Sequence, residues 1–309
     1  MYHGILVINK PVGMTSHDVV FKLRKILRTK RIGHTGTLDP NVAGVLVCCI
    51  GQATKLVEDL MDGQKGYRGE ITLGFSTETE DADGAPVERK RLEEPVSDAS
   101  IDAAMATFLG EIVQIPPYYS AVKVAGKRLY EYARAGQQVE RPRRIARIDR
   151  FERLGASEFD PQEGLQRWSF DVQCGKGTYV RTLAVDLGAK LGYPSHMSHL
   201  VRYMTGGYSL SQAHSLEEVA QAAEEGRVGQ ILVPLDQAIN FCPHYHLQES
   251  EWPMVKNGQV VPSSAFNPAL KEATACFYQG KVRAIYGPHP SKPGMVKPLK
   301  MFTYEEESR

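Results

Sequence analysis

An uninterrupted apolar run, Gly44-Val45-Leu46-Val47-Cys48-Cys49-Ile50-Gly51, does most to limit the folds open to this chain. A short segment with no polar side chain on either face, closed by glycine at both ends, predicts a central strand buried on both sides. Immediately upstream lies a segment of opposite character, the polar loop Gly33-His34-Thr35-Gly36-Thr37-Leu38-Asp39-Pro40. Pro40 pushes Asp39 out of the helical region into an extended conformation, and Gly33 and Gly36 allow backbone geometry that a Cβ resists. The loop therefore aims one carboxylate from a fixed edge of the core. The same spacing also suits a plain Asp-Pro turn, so the acid takes its meaning from its partners.

Around that strand the pattern is irregular. Gly4-Ile5-Leu6-Val7-Ile8 predicts a buried strand, and residues 9–16 a loop ending in a helix cap at Ser16. Val19, Val20, Leu23, Ile26 and Leu27 recur at helical spacing and form the packed face of the helix that follows. Residues 53–61, 101–109, 178–191 and 216–224 predict further helices, and residues 67–73, 145–154 and 168–174 further strands. With no steady βαβ alternation, the fold class is α+β rather than doubly wound. Beyond about residue 245 the character changes. Ala275-Cys276-Phe277-Tyr278, a Gln279-Gly280-Lys281 turn and Val282-Arg283-Ala284-Ile285-Tyr286 form a hairpin signature. A small C-terminal β domain (245–309) is expected, joined through a linker near 234–244 to a larger domain spanning 1–240.

The 309 residues are 42% hydrophobic and 24% charged, ordinary for a globular chain with room for one large core or two domains. No apolar run is long enough to span a bilayer, and the start lacks the layout of a secretory signal, so a cytoplasmic protein without membrane association is expected. Cys48, Cys49, Cys174, Cys242 and Cys276 show no paired spacing, which argues against a disulfide framework and a zinc site. Net charge is only +1, yet it is segregated. Residues 123–153 hold ten basic side chains against four acidic, a local +6, and Lys22, Arg24, Lys25, Arg28, Lys30 and Arg31 form a second run with no acid within it. The runs 78–83 and Glu305-Glu306-Glu307 supply the balance. Two basic runs flanking candidate catalytic loops predict a polyanionic partner.

Several standard chemistries are excluded by inspection, since the chain has no G-x-x-x-x-G-K-S/T, G-x-G-x-x-G, H-E-x-x-H or G-x-S-x-G. What remains is a set of small polar loops: Asn9-Lys10-Pro11-x-Gly13-x-Thr15-Ser16, the Asp39 loop, Lys65-x-Tyr67, Ser120-Ala121-x-Lys123-x-x-Gly126 and Gly175-Lys176-Gly177-Thr178-Tyr179-x-Arg181. These five ordered motifs, covering nearly the whole chain, resemble the TruB family, the bacterial tRNA pseudouridine-55 synthases.

The resemblance implies a pseudouridine synthase fold: a mixed, largely antiparallel central sheet flanked by helices, with a C-terminal β-rich PUA domain. The family converts a T-loop uridine of tRNA to its C-glycoside isomer. Substrate and product contain the same atoms, so neither cofactor nor metal is implied. Asp39 is then the reactive carboxylate, either the nucleophile or the base that removes a sugar proton, and Tyr67 the ring that stacks on the target base. Arg181 is implied as the partner of Asp39. In the first turn of a helix, where the macrodipole disfavours a cation, it needs a nearby anion, and it is expected to hold Asp39 ionised by lowering its pKa. His34 is implied to fill the gap left by the extruded uridine, Leu200 to line the base pocket, and Tyr179 to contact Asp39 or pack beneath the loop.

Lys10, Lys65 and Lys123 are implied RNA contacts, together with Arg141, Arg143 and Arg144 of a basic insertion at about 121–150 and with Arg202. Many relatives have two arginines after the pocket leucine, whereas this chain has Val201-Arg202. The insertion is expected to order over the T-loop. The PUA domain is implied to take the acceptor end of tRNA, with the enzyme acting as a monomer.

Three other readings share part of this pattern. A guide-dependent synthase subunit is disfavoured by the compact chain without long basic tails. An RNA-folding factor with a vestigial loop is disfavoured because Asp39, Tyr67 and Arg181 are all present, and a nucleoside hydrolase because it needs a second activating group. Neutralising Arg141, Arg143 and Arg144 together is expected to weaken tRNA binding and flatten its salt dependence with little effect on folding. An unchanged salt slope in filter binding contradicts a clamping insertion.

Overall fold

The computed structural model describes residues 2–304, so the acidic Glu305-Glu306-Glu307 lies outside the described residues. Four elements build one corner of the molecule: β1 (Gly4–Lys10), α1 (Ser16–Ile26), β2 (Ile32–His34) and β3 (Ala43–Ile50). β3 is the predicted central strand, buried at every residue from Gly44 onward. Its alternating side chains explain this. Val45, Val47 and Cys49 enter one apolar cluster, while Leu46, Cys48 and Ile50 enter another on the opposite face.

After a 3-10 turn at Gly51–Leu56 come α2 (Val57–Met61), β4 (Lys65–Leu73), β5 (Phe75–Thr77), β6 (Pro86–Arg89), α3 (Asp98–Ala106) and β7 (Gly110–Gln114). The insertion folds as a small hairpin, β8 (Lys123–Val124) and β9 (Lys127–Arg128), followed by α4 (Leu129–Arg134). β10 (Arg144–Asp160), β11 (Leu165–Cys174), α5 (Val180–Leu191) and β12 (Ser195–Thr205) complete the main sheet. Its path runs from the edge strand Val233–Pro234 through β1, β3, β12, β4, β11 and β10 to β7. Only β3 and β12 pair in parallel along it, so the sheet is mixed and largely antiparallel as expected. α3 and α5 pack on one face over Ile71, Phe170 and Val172. The parallel pair demands close approach. Gly44 has φ +115°, and a Cβ there would lie 2.2 Å from the Arg202 carbonyl oxygen, so glycine is required by conformation and by space.

A second, five-stranded sheet has the order His244–His246, Thr274–Tyr278, Lys281–Pro288, Met295–Met301, Val261–Pro262. Its predicted hairpin turns on Gln279 and Gly280, at φ 50° and 74°, the left-handed pair of a two-residue turn. The expected linker at 234–244 is corrected. Pro234 pairs with Gly4, Leu235–Ala238 is a helical turn, and Leu235 and Ala238 share one apolar cluster with Ile5, Phe277, Val282 and Phe302. Through the buried side chains of Leu235, Ala238 and Ile239, this segment is part of the packing between the two sheets rather than a tether. Gly44→Ala is expected to lower unfolding free energy by about 3 kcal/mol or more. Gly136→Ala, at a positive φ of 63° in open surroundings, should lower it by only about 1–2 kcal/mol. Equal losses in urea titrations contradict the tight β3–β12 approach.

Candidate active site

Asp39 owes its position to bonds on both of its neighbours. The Leu38 N–H donates to Ser16 Oγ at 2.9 Å, and the Ser16 hydroxyl donates to the Leu38 carbonyl at 3.2 Å. The Pro40 carbonyl accepts from Lys10 Nζ and from the Gly13 N–H, each at 2.9 Å. Ser16 is available for this because Thr15, rather than Ser16 as expected, caps α1 through a capping box with Asp18. The segment from Lys10 to Ser16 thus acts as a clamp on the Asp39 loop.

The opposing side arrives on α5. Its N-cap, Tyr179, is fixed by Gln114, whose carbonyl oxygen accepts from the Tyr179 N–H at 3.0 Å and whose amide donates to the Tyr179 carbonyl at 3.2 Å. Two residues on, the Arg181 guanidinium sits 3.0 Å from Asp39 Oδ2 through Nη2. Nη2 also donates to the Tyr119 carbonyl and Nη1 to the Thr79 carbonyl, both at 3.0 Å, while Asp81 Oδ2 stands 3.7 Å from Nη1. The predicted ion pair is therefore formed, and its cation is held by three further acceptors.

Burial raises the Asp39 carboxyl above its ordinary pKa of 3.8, Arg181 pulls it back, and Asp81 and Asp83 push it up again; the balance is upward. This corrects the expectation that Arg181 would leave Asp39 more acidic than usual. Protein walls displace water from around the carboxylate, and that penalty exceeds the gain from one cation. The Asp39 side chain still keeps 44% of its surface open, and it lines the cleft.

The cleft has a volume of about 630 Å³. Its apolar wall is Val42, Tyr67, Met197 and Leu200. β4 and β12 register so that Tyr67 lies opposite Arg202 and Gly69 opposite Leu200, which places Tyr67, Leu200 and Arg202 on one face. Gly69 makes room, since a Cβ there would come within 2.9 Å of Leu200 Cδ1. Burial raises the Tyr67 phenol pKa, outweighing the opposite pull of Arg202, so the hydroxyl stays protonated. Tyr179 lines the cleft, half-buried, near Arg181. His34 stands beside the lining, its Nδ1 accepting from the Gly36 N–H at 3.3 Å and its ring edge-on to His17. Burial lowers its pKa and favours the neutral ring.

Three cations expected to contact RNA have other work. Lys10 is fully buried and donates to the Pro11, Met14 and Pro40 carbonyls. Lys65 donates to Met61 and Gly63, and Arg202 to Val45 and Gly36. Their donors are engaged by backbone carbonyls, which makes them braces of the cleft rather than surface cations. In the insertion, Lys123, Arg143 and Arg144 are exposed, whereas Arg141 donates to the Pro116 carbonyl and lies over the Tyr118 ring. The +6 of residues 123–153 is also smaller in effect than in sum. Arg147 pairs with Asp149, Arg150 with Glu152, and Arg153 with Asp98 and Asp102. Residues missed at the site include Asp81, visible in sequence only as part of an acidic run, and Gln114, which carried no signal.

Residues 24–180 match the model of the TruB family pseudouridylate synthase N-terminal domain, and residues 181–240 that of the tRNA pseudouridylate synthase B C-terminal domain. The tRNA pseudouridine synthase B of Bacillus pumilus is 49% identical over 311 residues, covering 100% of both chains. That of Halalkalibacterium halodurans is 50% identical over 304 residues, 98% of this chain and 99% of its own. Among solved structures, a chain of a Cbf5-Nop10-Gar1 complex superposes with a TM-score of 0.72 at 25% identity, covering 98% of this chain and 86% of that one. An H/ACA RNP bound to a substrate RNA containing 2′-deoxyuridine gives 0.70 at 23% identity, covering 98% and 86%, and supports the fold. Near-half identity across the full length, both family models and the observed sheet agree: the chain belongs to the TruB family of pseudouridylate synthases.

Proposed function

We propose that this chain converts a uridine of the tRNA T-loop, at position 55, to pseudouridine. The observation that carries this reading is the Asp39–Arg181 pair at one end of a cleft walled by Tyr67 and Leu200. The tRNA-acting relatives, far closer in sequence than the chains of H/ACA ribonucleoproteins, support a stand-alone enzyme acting on tRNA. In the reaction the C1′–N1 bond breaks, the base turns within the apolar slot, and a C1′–C5 bond forms. The proton on C5 leaves and N1 gains one, so the atoms balance without a cofactor.

Asp39 attacks C1′ or removes a sugar proton, and both routes require its ionised form. Arg181 orients that carboxylate and offsets part of its burial. Tyr67 stacks on the base with its phenol protonated, and neutral His34 takes the place of the extruded uridine. Exposed Lys123, Arg143 and Arg144 carry the insertion onto the T-loop phosphates. Residues 1–240 form the catalytic domain and 245–309 a PUA-type domain that receives the acceptor end, in a cytoplasmic monomer. Among the described residues, no helix is long and apolar enough to cross a membrane.

Mapping pseudouridine at single-nucleotide resolution in unmodified tRNA should reveal one T-loop site, lost with Asp39→Asn while tRNA binding persists. Free uracil, or product from the variant, contradicts this reading. Because Asp39 titrates above 3.8 in the folded protein, kcat/KM should be full above that raised value and fall as pH drops through it. An acid limb at or below 3.8 contradicts the assignment of Asp39.

A further inference from the structure

We infer that the outer face of α1 is a second RNA-binding surface, a rail for the phosphodiester backbone of the tRNA stem leading away from the cleft. This rests on the proposed tRNA activity. Lys22, Arg24, Lys25, Arg28, Lys30 and Arg31 follow one another with no intervening acid, and among the described residues none of the six is in an ion pair. Unlike Arg147, Arg150 and Arg153, they keep their charge for a partner.

The face is also shaped. Phe21, Arg24, Lys25, Arg28, Thr29 and Lys30 line an open groove of about 560 Å³. Phe21 is 57% exposed, with Lys25 Nζ 4.5 Å from its ring centroid, and offers a flat shoulder for a ribose beside cations for phosphates. Continuity with the cleft fixes the direction. His17, Phe21 and Arg24 recur at helical spacing on one side of α1, and Arg28 follows just past its C-cap, Leu27. The His17 ring lies 5.5 Å from that of His34, which leads directly into Thr35 of the cleft lining. Arg24 Nη2 donates to the Ile32 carbonyl at 3.2 Å, tying the rail to β2 and so to the Asp39 loop. From His17 to Arg24 this side of α1 runs about 10 Å.

The helix macrodipole accounts for Arg24 and Lys25 in the last turn of α1. It does not account for Arg28, Lys30 and Arg31 beyond the helix, nor for an exposed phenylalanine among them. A lone aromatic without apolar neighbours on the face also suits a phosphate backbone better than a lipid surface.

The test compares the full-length protein, a Lys25→Gln/Arg28→Gln/Lys30→Gln variant, and a charge-matched Arg89→Gln/Lys90→Gln/Arg91→Gln variant. Intact tRNA binding is measured across salt concentrations, and pseudouridine formation at saturating tRNA. The α1 variant should bind about tenfold or more weakly near 0.1 M salt, with a log K against log salt slope shallower by about 2–3. Its kcat should be unchanged, and the control should retain wild-type affinity. Unchanged affinity and slope in the α1 variant, or equal weakening in both variants, overturns the rail. So does loss of binding to phosphatidylglycerol vesicles with tRNA binding intact. The binding readout stands apart from catalysis, since absence of product with the wild-type protein overturns the proposed activity instead.

Discussion

The contact between Arg181 and Asp39 is where separately folded parts of the chain meet. On one side, Lys10, Gly13 and Ser16 grip the residues flanking Asp39. On the other, Gln114 fixes the backbone of Tyr179 at the start of α5, which sets where the guanidinium points. The carbonyls of Thr79 and Tyr119 accept further bonds from its Nη1 and Nη2. A guanidinium only 8% exposed depends on these partners, because leaving a buried charge uncompensated is strongly destabilising. The pair is thus strongly specified, and its carboxylate faces the cleft in one orientation.

That specification depends on the parallel approach of β3 and β12. Gly44 lets the Arg202 backbone come close enough for its side chain to reach the Gly36 and Val45 carbonyls beneath the loop. A slip of one residue between β12 and β4 would turn Leu200 and Arg202 away from Tyr67 and empty the wall of the cleft. The core strand and the site are consequently one problem of register, with the reactive loop as its exposed end. The second sheet adds to this core through Phe277, Val282 and Phe302, so it is anchored to the same strands.

What the sequence made legible was local. The apolar run of β3, the periodicity that bounds Leu216–Glu224, and the glycine and proline marks around Asp39 each report on a few neighbouring residues. Arg181 was legible because a cation in a helix's first turn demands an anion. The burial of Lys10, Lys65 and Arg202 was not, since lysine and arginine normally belong at the surface and only carbonyls from distant segments make their interior positions tolerable. The Asp39 pKa was misread for the same reason: its partner can be named from sequence, but the walls that displace water from around it cannot. Asp98 and Asp102, which neutralise Arg153, lie too far along the chain for a charge count to include them.

The central claim is that burial, countered only in part by Arg181, sets the state of Asp39. It is tested most directly by following the Asp39 carboxyl carbon by NMR through a pH titration of the free wild-type protein and of Arg181→Met. The account predicts a midpoint above 3.8 in the wild type and a further rise without the guanidinium. A wild-type midpoint at or below 3.8, or one that does not move when Arg181 is removed, contradicts it.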